Sequence, residues 1–67
     1  MKLTLKAARV NAGLTQEEVA KELRISKSTI LSYEKYRTIP DMETALLLAS
    51  LYKLSVNDII FLPSDCA

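Results

Sequence analysis

The chain has one glycine, one cysteine, two prolines, no histidine and no tryptophan among its 67 residues. So few glycines and prolines leave too little turn chemistry for an all-β fold. With no histidine and its one thiol at Cys66, the sequence offers neither a transition-metal ligand set nor the usual constellations for nucleophilic catalysis. Cys66 cannot form an internal disulfide and suits a reducing compartment. No apolar run approaches the about 18 residues of a membrane-spanning helix, and the first ten residues hold no signal-peptide core, so export and membrane insertion are unsupported. A charge excess is also missing: nine basic residues face eight acidic ones, a formal +1, which argues against an indiscriminate polyanion binder. The length predicts one domain over 1–67, a complete small protein with a frayed tail at about 64–67, and a core too thin for a deep catalytic cavity, since such a domain buries only about 60% of its extended-chain surface. Neither an enzyme nor a cofactor site is expected, because the acids at predicted helix starts are accounted for as caps.

What the chain does have is helical punctuation, with 49% apolar residues to build an all-helical core. Thr15 and Glu18 have the three-residue spacing of a capping box, in which the hydroxyl takes the Glu18 amide and the carboxylate takes the Thr15 amide. Leu14 and Val19 stand at the staple positions on either side of that start. Val19, Ala20 and Leu23 repeat on one face as far as Arg24, and Ser26 then caps a further helix with Ile25 and Ile30 as its staple. Two short helices therefore share one tight turn. Ala20 is small enough to let them approach, and Leu23, Ile25, Ile30 and Tyr33 fill the wedge between them. The outer face of the second helix reads Lys27, Ser28, Thr29, Leu31, Ser32 and Lys35. Short hydroxyls between two cations fit an ordinary solvated face, and equally a helix laid in the major groove of DNA.

In order and spacing, Leu14–Ala20 (LTQEEVA), Ile25-Ser26 (IS), Ser28–Ile30 (STI), Ser32–Glu34 (SYE), Pro40–Thr44 (PDMET) and Leu54–Ile59 (LSVNDI) resemble the lambda-repressor-like, or XRE/Cro-type, helix-turn-helix family. The resemblance extends from Leu5 to Ile60. It implies an all-α, compact five-helix domain with the helix-turn-helix at the second and third helices. It also implies a sequence-specific transcriptional regulator, a repressor of phage, prophage or mobile-element type, that acts in the cytoplasm as a homodimer on a palindromic double-stranded DNA operator. On this reading Lys27, Ser28, Thr29 and Ser32 contact bases, while Gln16, Lys35, Arg37 and Thr38 contact phosphates. Gln16 would also brace the recognition helix. No small-molecule ligand is evident.

The first helix is expected over about Leu3–Ala12, with Leu5, Ala8, Arg9 and Ala12 on one face and Gly13 as a left-handed terminator. An arginine on that stripe snorkels at the core edge or, as the resemblance implies, pairs with Glu34 at the end of the recognition helix. Arg24, Tyr36 and Lys53 each stand where relatives often carry glycine. Arg24 is a solvated turn residue or a phosphate contact; the Tyr36 phenol bonds a phosphate or covers the core edge. Residues 35–41 form a loop before Asp41 caps a fourth helix over Met42–Lys53, with Ala45, Leu48, Ala49 and Tyr52 inward. Ser55 is expected to cap a fifth helix that ends near Ile60 or Phe61, before Pro63. Leu47, Ile60, Phe61 and Leu62 exceed what the core needs and form either core lids or a dimer interface. An alternative function follows from that apolar surplus: a protein-interaction module of the same fold, such as an antitoxin, anti-repressor or adaptor.

Overall fold

The computed structural model describes residues 2–62; the expected frayed tail, Pro63 and Cys66 lie outside the described residues. Within them the elements run β1 (Leu3–Thr4), α1 (Leu5–Asn11), α2 (Gln16–Leu23), α3 (Lys27–Glu34), α4 (Met42–Leu51), a 3₁₀ turn (Val56–Asp58) and β2 (Ile59–Ile60). The described residues thus form four α-helices rather than five, with a short parallel strand pair in which Leu3 faces Ile59 and Thr4 faces Ile60.

Both departures from the expected five helices arise at this pair. Thr4 does not continue a helix from Leu3; its hydroxyl accepts the Ala7 amide, so α1 starts at Leu5. At the other end Ser55 and Asp58 do form a capping box. The helix it opens stops after one 3₁₀ turn, because Ile59 adopts extended dihedrals and the β-branched Ile59-Ile60 pairs with β1. Ile59 thereby enters the core at 3% exposure.

The other helix starts are local. Thr15 and Glu18 make the reciprocal capping box at 3.1 and 2.9 Å. Ser26 accepts the Thr29 amide at 3.1 Å, and Asp41 accepts that of Thr44 at 2.8 Å. These bonds satisfy amides that the first helical turn leaves without an intrahelical partner.

All four helices close in one way. After α1, Leu14 N–H bonds Arg9 C=O and Gly13 N–H bonds Val10 C=O; the same nested pair recurs at Ile25 and Arg24, at Arg37 and Tyr36, and at Leu54 and Lys53. This is the Schellman closure, which puts its hinge residue in the left-handed region. The hinges are Gly13 at φ +75°, Arg24 at +59°, Tyr36 at +58° and Lys53 at +58°. Three side-chain-bearing residues thus occupy a conformation that costs on the order of 1 kcal/mol apiece.

The core gathers Leu5 and Ala8 from α1, Val19 and Ala20 from α2, Ile30 from α3, Leu48, Ala49 and Tyr52 from α4 and its end, and Ile59 from β2. Leu14, Leu23, Ile25, Tyr33 and Phe61 pack against it from the edge. The inward face of α4 is the expected one, with Ala45, Leu48, Ala49 and Tyr52 all buried. Ala12, expected on the inner stripe of α1, is exposed and lies just past that helix.

Candidate nucleic-acid interface

Glu34 is the point at which α1, α2 and α3 are tied together. Its carboxylate accepts from Arg9 Nε at 2.7 Å and Nη2 at 3.3 Å, and from Gln16 Nε2 at 3.0 Å. Arg9 Nη1 also donates to the Leu14 carbonyl at 2.9 Å, on the connection between α1 and α2. The Arg9 and Glu34 side chains are 11% and 5% exposed, so the pair is largely withdrawn from water. Its hydrogen bond to Glu34 raises the already high Arg9 pKa further, against the opposing effect of burial. Nearby, burial first and the Glu34 charge second push the Tyr52 phenol up to about 12. Orientation of α3 therefore rests on a nearly dry, forked ion pair rather than on packing alone.

With α3 fixed, its outward face is defined. Lys27 and Ser28 are exposed, while Thr29 and Ser32 are half-buried. Ser28, Thr29 and Ser32 share a shallow concavity of about 340 Å³ with Tyr33, Thr38 and Ile39. The chain folds back to build it: Arg37 N–H bonds Ser32 C=O in the closure of α3, which returns Thr38 and Ile39 beside the helix they have just left. Ile39 is 54% exposed, an apolar wall on an otherwise hydroxyl-rich recess.

Four expected base contacts and four expected phosphate contacts are distributed unevenly around this recess. Ser28, Thr29, Ser32 and Thr38 line it; Lys27, Lys35, Arg37 and Gln16 do not. The Thr29 hydroxyl lies 2.8 Å from Ser26 Oγ, within the cap of α3. The Gln16 amide is directed to Glu34, and Lys27 Nζ lies 3.2 Å from Glu17 Oε2. Lys35 and Arg37 are exposed on the closing turn. Tyr36 is half-buried, and its hydroxyl donates to the Ile60 carbonyl at 2.9 Å, which links this turn to β2.

The apolar surplus divides into two places. Ile60 and Phe61 are half-buried and Leu62 is exposed at the end of β2. Leu47, 50% exposed, lines a different groove with Glu22, Leu23, Arg24, Ser50 and Leu51. Met42 and Leu46 on α4 are also exposed, at 71% and 51%. Sequence reasoning missed Glu17 and Ile39 as parts of the α3 surface. No single-helix spacing relates Glu17 to Lys27, and Ile39 reads as loop.

Among the described residues no group of histidine, cysteine, aspartate and glutamate side chains is arranged to hold a metal ion, and no helix is long and apolar enough to cross a membrane.

A helix-turn-helix family model matches residues 5–59. The chain is 42% identical over 53 residues to the HTH-type transcriptional regulator ImmR of Bacillus subtilis (strain 168), an alignment covering 79% of this chain and 42% of that protein. It is 38% identical over 52 residues to the cryptic phage CTXphi transcriptional repressor RstR of Vibrio cholerae, covering 78% of this chain and 47% of that one. The chain thus spans less than half the length of these two relatives. Against an uncharacterised HTH-type transcriptional regulator of Methanocaldococcus jannaschii the match is end to end, 35% over 65 residues, with 97% of this chain and 98% of the relative covered. No solved structure matches the chain.

Proposed function

Because the chain belongs to the lambda-repressor-like helix-turn-helix family, we propose that it is a sequence-specific, double-stranded-DNA-binding transcriptional regulator of the phage-repressor type. The observation that carries the proposal is the outward face of α3: hydroxyls of Ser28, Thr29 and Ser32 around one recess, on a helix clamped by Arg9, Gln16 and Glu34. A helix presented in this way fits the major groove, where short polar side chains and an ammonium group meet base edges. Lys27, Ser28, Thr29 and Ser32 are the base contacts. Lys35, Arg37 and Thr38, on the turn after α3, hold the phosphate backbone together with Gln16, which keeps α3 in register. That one of the relatives is named a transcriptional repressor supports repression as the sign of regulation.

Two copies act together on an approximately palindromic operator. The longest dimension of the described residues, 29 Å, falls short of the about 34 Å between successive major-groove faces, which supports one half-site per chain. The surface for pairing is the end of β2, with Ile60, Phe61 and Leu62, a strand and its exit rather than a fifth helix, whereas Leu47 lines a different groove on α4. A second reading, a protein-interaction module, is favoured by the exposure of Met42, Leu46 and Leu47. Selection of bound duplexes from a random library separates the two readings. Recovery of a two-fold-related motif supports the regulator, whereas no enrichment over many rounds supports the interaction module.

A further inference from the structure

Glu17 is the second residue of α2 and Lys27 the first of α3, and their side chains meet at 3.2 Å while remaining 66% and 56% exposed. An ion pair so open to solvent adds little to stability, so its position calls for another explanation. It bridges the two helices of the helix-turn-helix at the rim of the face assigned above to DNA. The other carboxylates on these two helices are engaged or directed elsewhere: Glu34 is held by Arg9 and Gln16, Glu18 takes the Thr15 amide, and Glu22 lines the groove shared with Leu47.

We propose that Glu17 is a specificity-determining residue that acts through Lys27, tethering its ammonium group over the groove and keeping it from the phosphates. The inference rests on the DNA-binding reading and deepens it. An ammonium group has three donors, so one N–H on Glu17 leaves two for acceptors such as the O6 and N7 of a guanine. A lysine without that tether swings on four methylenes to the nearest phosphate, which carries no sequence information. Glu17 therefore converts a mobile charge into a placed donor and cancels the attraction of Lys27 for arbitrary DNA. Its carboxylate suits the task because it stays ionised: its own backbone amide and then Lys27 hold its pKa below the usual glutamate range.

The test is a double-mutant cycle read on a library-selected duplex and a scrambled duplex, with wild type, Glu17→Gln, Lys27→Ala and the double variant. Glu17→Gln should bind the scrambled duplex about two- to fivefold more tightly, the scale of one exposed ion pair. Its salt slope on that duplex should steepen by about 0.9, one additional phosphate contact. Its preference at one base pair of the selected site should fall, and all three effects should vanish in the Lys27→Ala background. Equal tightening on both duplexes in both backgrounds would make Glu17 a diffuse repulsive charge and overturn the inference, as would unchanged binding to scrambled DNA. A wild-type protein with no salt-dependent DNA binding fails differently, because it removes the DNA-binding reading itself.

Discussion

Arg9 on α1 and Glu34 at the end of α3 are held in a forked contact, with Nε and Nη2 of the guanidinium on the two carboxylate oxygens at 2.7 and 3.3 Å. The contact crosses from α1 to the helix proposed to read DNA. Since both side chains are nearly buried, removing one leaves the other charged and poorly solvated.

Arg9→Ala is therefore expected to destabilise the fold by about 3–5 kcal/mol, far above the about 0–1 kcal/mol of an exposed pair. Urea denaturation measures the loss. A change below about 1 kcal/mol would mean that the pair is effectively solvated and does not hold α3.

The four helix closures make a second prediction. Lys53 is exposed and sits at φ +58°, so Lys53→Gly should stabilise the protein by about 0.5–1 kcal/mol despite the added freedom of the unfolded chain. Gly13 is the converse: a Cβ there meets nothing within 4 Å, so Gly13→Ala should cost about 1 kcal/mol from backbone strain alone. Opposite signs in thermal denaturation are the expected result. Destabilisation by both substitutions would show that the Lys53 side chain contributes more than its backbone conformation costs.

Titration of Tyr52 gives a third. Its pKa is raised from 10.0 to about 12 by burial and the Glu34 charge, so the folded state keeps a proton that the unfolded state loses first. Stability from this group is complete below pH 10 and is lost as pH rises through the window from 10 to about 12. The total is about 2–3 kcal/mol. Tyr52→Phe should flatten that alkaline limb, and an identical pH profile in the variant would exclude Tyr52 as its source.

What could be read in the sequence was mostly local. Thr15–Glu18, Ser26 and Asp41 announce helix starts because a cap and its amide lie three residues apart, and Arg24, Tyr36 and Lys53 stood out as occupants of glycine positions. The strand pair was hidden for the opposite reason. A two-residue strand has no periodicity, Leu3 and Leu5 fit a helical start, and Ser55–Asp58 is a true capping box whose helix is cut off by pairing between segments far apart in the sequence. At the candidate interface, residue types on α3 could be read from helical spacing. The Glu17–Lys27 bridge and the Gln16–Glu34 bond could not, since each depends on how α2 is set against α3.

Pairing of two chains gives a fourth prediction. Phe61 packs against the core, so a charge there would confuse folding with association; Leu62, 44% exposed, is the better probe. Leu62→Asp should keep its melting temperature while losing cooperative occupancy of the two half-sites, whose centres should lie about 10 base pairs apart. Footprinting with stoichiometry checks this, and one chain bound to a non-palindromic site would contradict it.

The central claim is that α3 reads sequence while the turn after it only holds the backbone. Its most direct measurement is the affinity ratio between a library-selected duplex and a scrambled one across a salt series, for wild type, Ser28→Ala and Arg37→Ala. The expected wild-type ratio is at least about 10³. Ser28→Ala should lower that ratio by about 1–3 kcal/mol at one base pair and leave the salt slope unchanged. Arg37→Ala should weaken both duplexes alike and reduce the slope by about 0.9. A wild-type ratio near one, or uniform weakening of both duplexes by Ser28→Ala, would contradict a base-reading α3.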